Sequence, residues 1–140
     1  MLKGIPSILS PELLKILMEM GHGDELVIGD GNFPAASNAQ RLIRCDGHGV
    51  PALLDAILTL MPLDTYVDAP VALMETTRGD PRPVIWEEYQ RILATHQKVK
   101  METVERFAFY ERAKQAYAII ATGETALYAN LILKKGVVTE

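Results

Sequence analysis

The sequence is poor in cysteine: Cys45 stands alone among 140 residues. No internal disulfide can form, so a core must hold the fold, and a reducing, cytoplasmic setting is expected. There is no basic excess either. Fourteen Lys and Arg face 18 Asp and Glu, for a formal net charge of −4. Binders of phosphate backbones carry the opposite balance, so nucleic acid is not an expected partner. Long apolar runs are also missing. Asp55 and Asp64 interrupt the longest ones, well short of the ~18 residues a membrane helix needs. Met1-Leu2-Lys3-Gly4 lacks the apolar stretch of a secretion signal. No repeat, low-complexity tract or Pro/Gly/Ser linker divides the chain. A neutral ligand such as a sugar is compatible with all of this.

What is present suits one globular domain. A length of 140 residues falls within the usual range, and such a chain can bury about two-thirds of its unfolded surface. Hydrophobic residues make up 49% and charged residues 23%, which is ordinary globular composition. Residues 1–140 are therefore read as a single domain.

The chain alternates helix and strand signals. Ser10 is a candidate N-cap before Pro11 and Glu12, and Leu13, Leu14, Leu17 and Met20 form a helical stripe ending at Gly21. Glu25–Ile28 reads as a buried strand running into the turn formers Gly29-Asp30-Gly31-Asn32. A second strand is expected near Arg41–Arg44. Val50, Leu53, Leu54, Ile57 and Leu58 mark a helix closed by Pro62. Val71–Met74 is a third strand, and Pro83 opens a helix carrying Ile85, Trp86, Tyr89, Ile92 and Leu93. An extended segment near Thr103–Arg106, a helix through Phe109 to Tyr117, and strands at Tyr117–Ala121 and Ala126–Leu133 complete the chain. This alternation predicts a compact α/β domain whose largely parallel sheet is flanked by helices, with one antiparallel strand at the end.

Three clusters can carry chemistry. His22 lies between Gly21 and Gly23, after a helix end. Histidine gives and takes protons near neutral pH, although a polar loop residue after a helix stop reads the same way. Asp30 follows an apolar strand, where a carboxylate can accept two sugar hydroxyls or simply close an Asx-turn. Arg106 opens the run Arg106-Phe107-Ala108-Phe109-Tyr110-Glu111-Arg112, and Tyr128-Ala129-Asn130 follows later. Arginine offers a fork of donors, Tyr and Asn directional polar contacts. The glycines form neither GxGxxG nor a P-loop, which excludes a nucleotide fingerprint. His22, Asp24, Asp30, Asp46 and His48 show no metal-ligand spacing, and no metal is expected.

These motifs together carry a resemblance. Ser10-Pro11-Glu12-Leu13-Leu14, Glu19-Met20-Gly21-His22-Gly23-Asp24, Phe33-Pro34-Ala35, Asp46-Gly47, the Arg106–Arg112 run, Thr122-Gly123-Glu124, Tyr128-Ala129-Asn130 and Leu133-Lys134-Lys135-Gly136 span nearly the whole length. The chain resembles the L-fucose mutarotase branch of the ribose pyranase/fucose mutarotase family. The resemblance implies an isomerase that interconverts the anomers of a free monosaccharide, L-fucose first, without cofactor or metal. It implies His22 as proton donor, with Asp30, Arg106, Tyr128 and Asn130 binding the sugar. It further implies a homo-oligomer, often a decameric ring with sites near subunit contacts. Ala129 departs from the glycine expected there, and His48 is unusual in its stretch. Two alternatives stand beside this reading: a non-catalytic sugar-binding accessory of a transport system, and a D-ribose pyranase.

Overall fold

The computed structural model describes residues 1–139. In chain order the elements are α1 (Pro11–Glu19), β1 (Glu25–Gly29), α2 (Ala35–Asn38), β2 (Leu42–Cys45), α3 (Val50–Leu60), β3 (Val71–Met74), α4 (Val84–His96), β4 (Met101–Val104), α5 (Arg106–Gln115), β5 (Ala118–Thr122) and β6 (Leu131–Lys134). Ser10 caps α1 by accepting the Leu13 amide at 3.2 Å, as its position before Pro11 implied. The cap at the other end is extended Met20 rather than Gly21.

The six strands form one mixed sheet in the order β2-β5-β1-β6-β3-β4. β2, β5 and β1 run parallel to one another, as do β3 and β4, while β6 is antiparallel to both β1 and β3. The antiparallel strand is last in sequence, as expected, but it lies inside the sheet between the two parallel blocks. Both sheet faces are covered, because side chains alternate along each strand. Leu26, Ile28, Leu131 and Leu133 pack with α1, α3 and α4, whereas Val27, Ile119 and Ile132 pack with α2 and α5 around Phe109.

Three sequence expectations shift. The extended segment is Met101–Val104, not Thr103–Arg106, because the Glu105 carboxylate accepts the Phe107 and Ala108 amides, both at 3.0 Å, and starts α5. Tyr117 falls outside that helix, which ends at Gln115. The closing strand covers only Leu131–Lys134. Residues 126–130 are loop, since Tyr128 takes a left-handed backbone (φ 55°) that no strand accommodates. The short α2 had no periodicity to reveal it.

The loop after β5 ties one end of the sheet together. Gly123 donates its amide to His48 O at 2.9 Å, and Glu124 O accepts the Gly31 amide at 2.8 Å. The Glu124 carboxylate accepts the Val50 amide at the start of α3 (3.0 Å) and the Ala126 amide (3.1 Å). A Cβ on Gly123 would overlap the backbone carbonyl oxygen of Asp46. Gly123→Ala is therefore expected to destabilise the fold by about 1–3 kcal/mol, the usual cost of forcing an atom into packed surroundings. Urea denaturation measures it, and unchanged stability would contradict this packing.

Candidate functional site

Asp30 leaves the carboxyl end of β1, Met74 ends β3, and Arg106 follows β4. Because β6 runs the other way, its entry residues Tyr128 and Asn130 reach the same edge of the sheet. Ligands of α/β sheets collect at this edge. Here Asp30, Asn32, Phe33, Met74, Thr77, Arg106, Tyr110, Leu127, Tyr128 and Asn130 line a hollow of about 290 Å³. That is close to the lower end of ligand pockets, roughly 300–1,000 Å³. A larger hollow, about 690 Å³, lies beside β4 with Arg82, Lys98 and Lys100 on its rim. It holds no buried carboxylate or amide, so the smaller one is the better site.

The floor of the hollow is polar and buried. Asp30 is 7% exposed and Asn130 is 5% exposed. Asn130 Oδ1 accepts the Asp30 amide at 2.7 Å, joining the end of β1 to the start of β6. Asp30 Oδ1 accepts the Asn32 amide at 3.0 Å. Asp30 thus closes an Asx-turn and lines the hollow at once. Burial raises its carboxyl above the ordinary aspartate value, against the backbone hydrogen bonds from Asn32, Ala129 and Phe33.

The walls are aromatic and cationic. Arg106 Nε donates to the Tyr110 hydroxyl at 3.2 Å, and its guanidinium lies 5.6 Å from that ring's centre. Phe33 meets Tyr110 at 5.7 Å, offering an apolar face. Tyr128 is held from both ends. Its carbonyl accepts Trp86 Nε1–H at 2.8 Å, and the next carbonyl, of Ala129, accepts the Tyr89 hydroxyl at 2.7 Å. Its own hydroxyl donates to Asp80 Oδ2 at 2.6 Å and accepts the Thr77 amide at 3.2 Å. Holding a non-glycine residue in a left-handed conformation costs of order 1–3 kcal/mol, and these contacts offset it. Ala129 is fully buried, with its methyl in the core and away from the hollow.

His22 lies elsewhere. It precedes β1, whereas Asp30 follows it, and the five strand residues between them separate the two ends by ~16 Å at about 3.3 Å per residue. There His22 Nε2 meets Asp64 Oδ1 at 3.0 Å. Asp64 is only 4% exposed against 45% for His22. The Tyr66 amide also donates to Asp64 Oδ1, at 3.0 Å, and the Tyr66 ring lies 5.2 Å from the imidazole. The Tyr66 amide first, and His22 second, hold the Asp64 carboxyl below the usual aspartate range. The structure thus unites four of the five sequence-derived residues and sets the fifth at the opposite edge, paired with a carboxylate.

The sequence pattern of the RbsD / FucU transport protein family matches residues 3–138. The chain belongs to this family. It is 55% identical to the fucose mutarotase of Homo sapiens, over 97% of this chain and 94% of that protein. It is likewise 55% identical to the L-fucose mutarotase of Actinobacillus pleuropneumoniae, serotype 5b, over 98% of this chain and 97% of that protein. Among solved structures, the fucose mutarotase of Streptococcus pneumoniae in complex with L-fucose superposes with a TM-score of 0.96. That likeness covers 99% of this chain and all of that one, at 56% identity.

Several residues that contact these candidates have no signal in the sequence. Asp64 was legible only as a charge interrupting an apolar run. Thr77 and Asp80 sit in a short polar turn with no motif, and only the fold carries them to Tyr128. Among the described residues no three His, Cys, Asp or Glu side chains converge as a metal-ligand set. No helix among them is long and apolar enough to cross a membrane.

The raised Asp30 carboxyl has a consequence for stability. The folded state prefers the protonated form, so no cost is felt below the ordinary value of 3.8. The cost grows as pH rises through the raised value and is complete above it. Asp30→Asn keeps an oxygen for the Asn32 amide and removes the charge. The variant should be more stable than the parent at pH 7, with the advantage vanishing below pH 3.8. Urea melts across pH measure this, and a variant less stable at pH 7 would contradict it.

Proposed function

We propose that this chain interconverts the α and β anomers of L-fucose by opening and reclosing the sugar ring. One observation carries the proposal: Asp30, Arg106, Tyr128 and Asn130 converge on a single hollow in a chain 55% identical to fucose mutarotases. Mutarotation needs a proton delivered to the ring oxygen and one removed from the anomeric hydroxyl. Asp30 and Asn130 orient hydroxyls from the floor, Arg106 donates from the rim, and the Phe33 and Tyr110 rings cover the sugar's C–H face.

His22 is the proton donor in this reading. One copy cannot deliver it, because it stands at the far edge of the sheet. We therefore read the site as shared: the hollow of one copy faces the His22–Asp64 pair of another. Exposed apolar side chains flank both halves, with Tyr66 (80% exposed) beside the pair and Phe107 and Leu127 (66% and 67%) beside the hollow. Such residues are at home in an interface. Asp64 binds Nε2, which fixes the imidazole and leaves Nδ1 to exchange a proton with the sugar. The arrangement requires a homo-oligomer, and the ring of ten implied by the family resemblance supplies one in which every hollow has a neighbour. The single cysteine and the free-sugar substrate fit a cytoplasmic enzyme.

NMR exchange between the anomeric resonances of L-fucose tests the proposal directly. The protein should accelerate exchange, and His22→Ala should lower the acceleration by about 10²-fold or more while the fold survives. Arg106→Ala should weaken fucose binding without unfolding. Binding without acceleration would instead identify a sugar-binding accessory, and acceleration confined to D-ribose a ribose pyranase. Full activity in His22→Ala would overturn the assignment of His22.

A further inference from the structure

The turn after β3 ends on a carboxylate, Asp80, whose only side-chain hydrogen-bond partner among the described residues is the Tyr128 hydroxyl. Asp80 donates its amide to Thr77 O at 3.0 Å, closing a four-residue turn. Its two central residues, Arg78 (φ 56°) and Gly79 (φ 70°), are both left-handed, the signature of a type I′ turn. This tight turn aims Thr77 and Asp80 at one atom, the phenolic oxygen of Tyr128. The polarity of the contacts is fixed by chemistry. An amide N–H only donates, so at the Thr77 amide the phenol accepts (3.2 Å). A carboxylate only accepts, so the phenol's single proton points to Asp80 Oδ2, at 2.6 Å. The Thr77 hydroxyl, 3.0 Å from the phenol, rotates and can yield its place to a hydroxyl of a bound sugar. Tyr128 therefore presents the hollow with an acceptor whose own proton already has a destination.

Resting on the mutarotase reading, we infer that Asp80 is the positioning residue behind Tyr128 and the terminus of the second proton transfer. As the ring opens, the anomeric O–H bond breaks and its proton bonds to the Tyr128 oxygen. The phenol's original proton passes to Asp80. The electron pair released at the anomeric oxygen forms the carbonyl as the bond from the anomeric carbon to the ring oxygen breaks. The ring oxygen takes the proton of the His22 imidazolium. Asp80 ends neutral, His22 ends neutral, and reclosure on the other face reverses each transfer. No further reactant is needed.

The test measures fucose exchange at saturating and subsaturating sugar in the parent, Asp80→Asn, Asp80→Glu, Tyr128→Phe and the Asp80→Asn/Tyr128→Phe double variant. Asp80→Asn keeps an acceptor oxygen at the turn and loses the basicity. The relay expects its kcat to fall by about 10–100-fold, with KM changed less than about threefold, partial recovery in Asp80→Glu, and no additional loss of kcat when Asp80→Asn is added to Tyr128→Phe. A purely structural role for Asp80 would move kcat and KM together and add its loss to that of Tyr128→Phe, and either result overturns the inference. So does parent-like kcat in Asp80→Asn. A parent protein that accelerates no anomer exchange overturns the underlying mutarotase reading instead, and is told apart by the parent measurement alone.

Discussion

The proposed site depends first on the placement of β6 within the sheet. A sheet of five parallel strands would bring only strand carboxyl ends to the ligand edge. Inserting one antiparallel strand between β1 and β3 sends the residues that enter it to that edge as well. Tyr128 and Asn130 gain their places this way, and the Asp30 amide to Asn130 Oδ1 bond locks the two strands at the floor of the hollow. The same antiparallel run carries the chain away to the opposite edge, where Lys134 O accepts the Asp64 amide and Lys135 O accepts the Gly23 amide. One strand thus positions both halves of the proposed site, at opposite ends of itself.

The strain and burial in the structure gather where chemistry is proposed. Asp30 is a carboxyl kept in poor contact with water, Tyr128 a non-glycine residue kept left-handed, and His22 an exposed imidazole braced by a buried aspartate. Each needs support from elsewhere in the fold. α4 provides it for Tyr128 through Trp86 and Tyr89, and the loop after β5 provides it for the site edge through Glu124.

Much of this was legible in the sequence because local physics decides it. Ser10 before Pro11 favours a helix start, the spacing from Val50 to Leu58 gives one apolar face, and four apolar residues at Val71–Met74 form a strand buried on both sides. Four of the five residues singled out from the family motifs, Asp30, Arg106, Tyr128 and Asn130, line the same hollow. What the sequence could not convey was long-range. β6 is shorter than its sequence suggests because Ala126–Ala129 has strand-like composition, while its conformation is set by partners some 40–50 residues away in α4 and the Thr77 turn. The separation of His22 from Asp30 follows from strand direction, which no spacing rule contains. Asp64, Thr77 and Asp80 lack any local signature.

The central claim is that one catalytic unit is assembled from two copies of this chain. Mixing two impaired variants, at fucose concentrations too low for Arg106→Ala to bind, tests it most directly. His22→Ala retains a complete hollow and lacks the imidazole; Arg106→Ala retains the His22–Asp64 pair and has a crippled hollow. When equal amounts are unfolded and refolded together, random assembly pairs an intact hollow with an intact histidine in about a quarter of the sites. The account requires fucose anomer exchange to return to about that fraction of the parent rate. Exchange no greater than the sum of the separate variants, in an assembly shown to be mixed, would contradict it.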